Sequence, residues 1–85
     1  MAVAPITGSI KGVVRNRNGS LVAGATIVVL GTDASVQADQ FGRFSLDSVT
    51  VGSRILEARA VGYMMGRAQT NVRQGAGQQL DIFVG

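Results

Sequence analysis

Apolar and polar residues alternate with a period of two along most of this chain, the signature of strands that bury one face. In residues 8–15, Ile10, Gly12 and Val14 share a face while Lys11, Val13 and Arg15 share the other. Asn16-Arg17-Asn18-Gly19 supplies residues that tolerate positive φ, so the chain reverses there, and Gly24 marks a second bend. Residues 25–30 form the next strand, with aliphatic side chains on both faces: Ala25, Ile27 and Val29 against Thr26, Val28 and Leu30. Gly31-Thr32-Asp33 breaks it, residues 35–38 form a short polar strand, and Asp39-Gln40-Phe41-Gly42 turns the chain again. Residues 43–46 place Phe44 and Leu46 on one face, and residues 47–52 are a connection. A longer strand over residues 53–61 sets Leu56, Ala58 and Ala60 against Ile55, Glu57 and Arg59. Residues 66–73 alternate once more, Gly75-Ala76-Gly77 is a turn, and residues 79–84 close the chain with Leu80, Ile82 and Val84 inward. Seven short strands at this spacing predict an all-β sandwich or small barrel, and no window shows the 3.6 period of a helix.

Several of these residues recur in a recognisable order. Gly12-Val13-Val14, Asn18-Gly19, Leu21, Gly24-Ala25-Thr26-Ile27, Asp39, Gly42-Arg43-Phe44, Gly52, Leu56 and Gly62-Tyr63 together resemble the carboxypeptidase regulatory-like family. The likeness runs from about Gly8 to Val84. It implies a seven-stranded, transthyretin-like Greek-key β-sandwich without significant helix, and a non-catalytic accessory role. Similar domains follow the peptidase domain of metallocarboxypeptidases, precede the plug of TonB-dependent outer-membrane receptors, or recur in bacterial surface proteins. Two positions depart from the family pattern: Val22-Ala23 where Pro often precedes the Gly-Ala pair, and Ala38 where Thr often precedes the turn Asp. Neither position needs a backbone geometry that only Pro or Thr supplies.

Length and composition fit one such unit: residues 1–7 as an extended arm and residues 8–85 as a single domain. A chain of 85 residues buries roughly 60–65% of its unfolded surface, enough for one modest core. Its 46% apolar and 15% charged content is that of a packed globule. The net charge of +3 comes from seven arginines and one lysine, interleaved with five acids rather than clustered. With only Phe41, Phe44, Tyr63 and Phe83 available for stacking, this is not the pattern of a nucleic-acid surface. No apolar run reaches the roughly 20 residues of a membrane-spanning helix. The first residues, MAVAPIT, lack the basic and apolar regions of a signal peptide, as expected of a mature fragment carrying an added start Met or of a short product made in the cytoplasm.

Catalytic chemistry finds little to work with. His and Cys are absent, which removes the usual general base, zinc ligands and thiol nucleophile. Asp33 and Asp39 lie six apart across a loop but lack the ligand alternation of a calcium loop, so they are assigned to shaping turns. An internal Lys–Asn or Lys–Asp isopeptide bond, as in related collagen-adhesin domains, is not expected. Glu57 sits near the helper acid's place, yet Val14 stands where the lysine would be and Lys11 points to the other face. Gly75-Ala76-Gly77 is followed by neither Lys-Ser/Thr nor a helix, so it is a hairpin rather than a phosphate loop. No enzyme activity, cofactor or metal is expected.

Function is therefore sought in surfaces. With Ile10, Val14, Ile27, Val29, Phe44, Leu56 and Leu80 forming the core, Val13, Val28, Leu30, Ile55 and Phe83 point outward as a candidate interaction face. Ala2, Val3, Ala4, Pro5 and Ile6 form a candidate strand-exchange arm that could complete the open sheet edge of a neighbour. The expectation is a module of the cell envelope or extracellular surface acting through protein contacts, including contacts with its own copies. It is either an accessory domain of a larger receptor or a self-assembling subunit. The alternatives are a structural subunit of an extracellular filament or virion decoration, and a carbohydrate-binding module using Tyr63.

Overall fold

The computed structural model describes residues 6–75 and 77–85. Among these, eight strands follow in chain order: β1 (Thr7–Arg15), β2 (Thr26–Val29), β3 (Ser35–Gln37), β4 (Arg43–Thr50), β5 (Gly52–Arg59), β6 (Gly66–Val72), β7 (Gly77–Gln79) and β8 (Ile82–Phe83). They form two packed sheets. In the first, β1 is central, antiparallel to β4 on one side and parallel to β7 and then β8 on the other. In the second, the order is β3-β2-β5-β6, all antiparallel. The all-β sandwich expected from the alternation is what the chain adopts.

The alternation places the core where it was expected. Ile10 and Val14 from one sheet meet Ile27, Val29, Leu56 and Ala58 from the other, and all are fully buried. Phe44, Leu46, Val49, Val72, Ile82 and Val84 join this cluster, as do Val22, Ala25 and Ala38, with Leu80 half-buried against it. Gly12 lies within the same face because there is no room for a side chain: a Cβ there would collide with the Leu80 carbonyl oxygen. That carbonyl belongs to the break between β7 and β8, where the Leu80 amide donates to the Lys11 carbonyl at 2.8 Å. The final strand expected over residues 79–84 is thus two short strands around this kink.

A larger difference concerns residues 47–52. They were expected to be a connection, but β4 runs on through Thr50 and only a tight turn at Val51 separates it from β5. The cause is a β-bulge. Gly8 pairs with Val49 and Ile10 with Leu46, so one extra residue is accommodated between them, and Ser48 takes φ 59°. Inward residues therefore step from Leu46 to Val49, three apart, and the period of two is lost in the sequence.

The register also defines the two ends of the sandwich. At one, here called the upper end, lie residues 16–25, the turn 38–42, the β5–β6 loop 60–65 and the end of β8. The β2–β3 loop, the β4–β5 turn and the β6–β7 connection lie at the lower end.

Candidate interaction surface

The upper end is built by closely fitted backbone. Asn16 caps its turn by accepting the Asn18 and Ser20 amides on Oδ1, and the Gly19 amide donates to the Asn16 carbonyl at 2.9 Å. Asp39 does the same for its turn: Oδ1 accepts the amides of Phe41 at 2.8 Å and Arg43 at 2.9 Å. Those donors, the Arg43 amide foremost and then that of Phe41, hold the Asp39 carboxyl below its ordinary range. This is the turn-shaping role expected for Asp39. Asp33 lies in the exposed β2–β3 loop at the lower end, so the two acids do not meet.

The β5–β6 loop is fixed at both margins. The Met64 amide donates to the Gly85 carbonyl at 2.7 Å, and the Gly85 amide returns a bond to the Met64 carbonyl at 2.9 Å. Gly66 packs so tightly on the Phe83 carbonyl that a Cβ there would overlap it. The loop is thereby joined to β8 and held out from the sandwich. Val61 is wholly exposed, Met64 is 77% exposed, and Tyr63 and Met65 are exposed beside them.

Phe83, 56% exposed, extends this apolar surface onto the first sheet. It pairs with Arg15, which is also bridged to Leu21, so Leu21, Arg15 and Phe83 form one outward row. Phe41 is exposed on the neighbouring turn with the Arg43 guanidinium 5.1 Å from its ring centroid. Of the exposed large apolar side chains among the described residues, only Ile6 and Ile55 lie elsewhere.

The five residues expected to form an interaction face separate onto two surfaces. Val13 and Phe83 are on the outer face of the β4-β1-β7 sheet, with Val13 in a shallow groove of about 540 Å³ beside Lys11, Arg43, Ser45 and Gln79. Val28, Leu30 and Ile55 are on the outer face of the other sheet, where the Leu30 amide donates to the Ile55 carbonyl at 2.9 Å. Only Phe83 belongs to the upper apolar surface. Val61, Met64 and Met65 carry that surface and were not singled out in the sequence, because a short loop has no period to violate. The signal that was present is a concentration of large apolar residues, Val61, Tyr63, Met64 and Met65, between two strand patterns. Ala2 to Pro5 of the candidate arm lie outside the described residues. Ile6, its last member, is half exposed and its carbonyl accepts the Val51 amide at 3.1 Å.

Beside the apolar loop is an unusual polar cluster. Glu57 faces outward by alternation yet is only 2% exposed. Arg67, directly across the β5/β6 ladder, donates Nε–H to Oε2 at 2.9 Å, and Arg59 donates Nε–H to Oε1 at 2.6 Å. The Arg59 bond above all, and the Arg67 bond after it, outweigh the loss of hydration and hold the carboxyl below its ordinary range. Lys11, the one lysine, is exposed on the outer face of the other sheet, so it and Glu57 do not meet. Among the described residues no three acidic side chains gather as a metal site, and no helix is long and apolar enough to cross a membrane.

Comparison with known proteins agrees with this architecture. No curated protein sequence matches the chain. Among solved structures, two forms of a type II cohesin–X-dockerin complex from Acetivibrio cellulolyticus are similar, one mutated at its N-terminal interface and one at its C-terminal interface. Each contains a chain that matches with TM-score 0.72 and 20% identity over 91% of this chain and 56% of that one. The Bacillus anthracis TIE protein matches with TM-score 0.61 and 16% identity over 92% of this chain and 16% of its own. At these identities the likeness is one of fold, and the chain spans about half the length of the first two and a small part of the third. A family model matches residues 9–84, and the chain therefore belongs to the carboxypeptidase regulatory-like domain family.

Proposed function

We propose that this chain is a non-catalytic β-sandwich module that acts through protein contacts at a cell envelope or extracellular surface, presenting the upper end of the sandwich to its partner. The observation that carries this reading is the concentration of exposed Val61, Tyr63, Met64, Met65 and Phe83 on one backbone-anchored loop and the strand beside it. Large apolar patches rimmed by polar groups mark protein-binding surfaces, and Met and aromatic side chains with arginine are enriched in their cores. Flexible Met side chains also adapt to a partner's shape at little cost. Val28, Leu30 and Ile55, on the outer face of the second sheet, offer a smaller secondary contact.

Of the two forms such a module can take, we favour an accessory domain, residues 8–85 following a short arm, within a larger receptor or surface protein. In support, the solved chains that share the fold are longer than this one. The test is retention from an extract of the source cells by immobilised wild-type chain and by a Val61→Ser/Met64→Ser/Met65→Ser variant. A partner held by the first and lost by the second, at unchanged melting temperature, supports the reading; equal retention by both removes it.

A further inference from the structure

The cluster around Glu57 has more hydrogen-bonding capacity than the fold uses. Each arginine spends its Nε–H on the buried carboxylate, while the Arg59 and Arg67 side chains remain 68% and 58% exposed. Among the described residues no acceptor takes a hydrogen bond from their Nη groups. Two guanidinium groups are thus tethered to one carboxylate, leaving a net charge of +1 and several outward N–H donors. Next to Arg59 lies a shallow recess of about 470 Å³. Thr26 and Gln37, paired across the β2/β3 ladder, furnish it with a hydroxyl and an amide, and fully exposed Val61 forms its apolar rim. No carboxylate lines this recess.

The rest of the upper end strengthens the sign of this field. Its other acids, Asp39 and Asp81, are outnumbered by Arg15, Arg17 and Arg43, and the Arg15 Nε lies 3.7 Å from Asp81. Arg17 is exposed there as well, on a chain of net charge +3. Like-charged copies meeting at this end repel, whereas an acidic chain is attracted.

We propose that Arg59 and Arg67 form a carboxylate clamp that receives an Asp or Glu side chain from an acidic segment of the partner protein, with an adjacent apolar residue of that segment resting on Val61. This deepens, and rests on, the protein-contact function proposed above. Guanidinium pairs suit the task because the planar fork meets a carboxylate through two parallel hydrogen bonds. Glu57 contributes by holding both side chains in place before the partner arrives, which reduces the ordering cost of binding.

The test is a nuclear magnetic resonance titration of the full chain, at low salt, with a synthetic hexapeptide alternating aspartate and leucine and with its asparagine–leucine counterpart. The clamp predicts saturable shifts of the Arg59 and Arg67 Nε–H signals and of the Thr26 and Gln37 amides with the acidic peptide alone. Arg59→Lys and Arg67→Lys keep the charge and lose the fork, and each is expected to weaken binding at least about fivefold. Shifts spread evenly over Arg17, Arg54 and Arg73, equal shifts from both peptides, or none, overturn the proposal on wild-type protein alone, whatever the variants' folding. Two further arms identify rival occupants. Binding to phosphatidylserine vesicles without response to the peptide overturns it in favour of a lipid surface. Self-association abolished by Asp33→Asn overturns it in favour of a second copy joined head to tail. Failure of the clamp leaves retention by the Val61–Met65 loop intact, so the two readings fail separately.

Discussion

Met64 and Gly85 exchange two backbone hydrogen bonds, 2.7 and 2.9 Å long, and so tie the apolar β5–β6 loop to the last residue of the chain. An exposed loop of this kind would ordinarily collapse or fray. Here its position is set by the closing strand of the fold, and Gly66 makes the approach possible by leaving room for the Phe83 carbonyl.

Adding one methyl group at that contact should separate β6 from β8. Gly66→Ala is expected to destabilise the chain by about 2 kcal/mol, the scale of overpacking, and to lower Tm by roughly 8–16 °C. Gly19→Ala is the control. Its Cβ meets nothing, and only the φ of 83° is unfavourable, so about 1 kcal/mol is expected. Thermal melts of the two variants check the difference; equal losses would show that the β6–β8 approach does not constrain the fold.

The inside–outside assignment of β2 and β5 makes a second contrast. Ile27 is fully buried, and Ile27→Ala leaves a cavity worth about 3 kcal/mol. Ile55, on the outer face of the adjacent strand and 41% exposed, should cost about 1 kcal/mol or less on the same substitution. Urea unfolding measures both, and a reversed order would mean that the register between the two strands is wrong.

Acid should weaken the fold through Glu57 and Asp39. Both carboxyls are held below their ordinary values of 4.5 and 3.8 in the folded state, so the unfolded chain takes up protons first as pH falls. Their contribution is fully present above about pH 5 and is lost as pH drops through the lowered folded values. Glu57→Gln removes its part of this dependence, and stability should then change less between pH 6 and pH 3. Urea midpoints across that range are the measurement; an identical slope in wild type and variant would show that the arginine clamp does not hold the carboxylate ionised.

The sequence-derived arm carries its own prediction. If residues 1–7 exchanged into a neighbouring sheet, light scattering would report a multiple of the monomer mass for the full chain and a single monomer mass for one starting at Gly8. The accessory-domain reading predicts a single monomer mass for each, and a concentration-dependent increase confined to the full chain would favour the self-assembling form.

Alternation made the sandwich legible, because each strand that buries one face writes its period into the chain. Ile10, Val14, Ile27 and Leu56 occupy the core as their spacing required. The pattern failed where geometry departs from a flat ladder: the bulge at Ser48 moved Val49 inward out of phase, and the Leu80 kink split the last strand. Interaction residues were harder to read for a related reason. Val13 and Val28 are both outward by parity, but parity cannot tell the outer face of one sheet from that of the other. Glu57 was placed outward correctly, yet its burial depends on Arg67, ten residues away and adjacent only once β5 and β6 pair.

The most direct test of the upper end as the docking surface is site-specific photocrosslinking in the source cells, with benzoylphenylalanine replacing Met64 in one chain and Asp33, at the opposite end, in another. A discrete adduct from position 64 and none from position 33 is the predicted result, and an adduct of twice the chain's mass would identify a second copy as the partner. Equal adducts from both positions, or none from position 64, would contradict it.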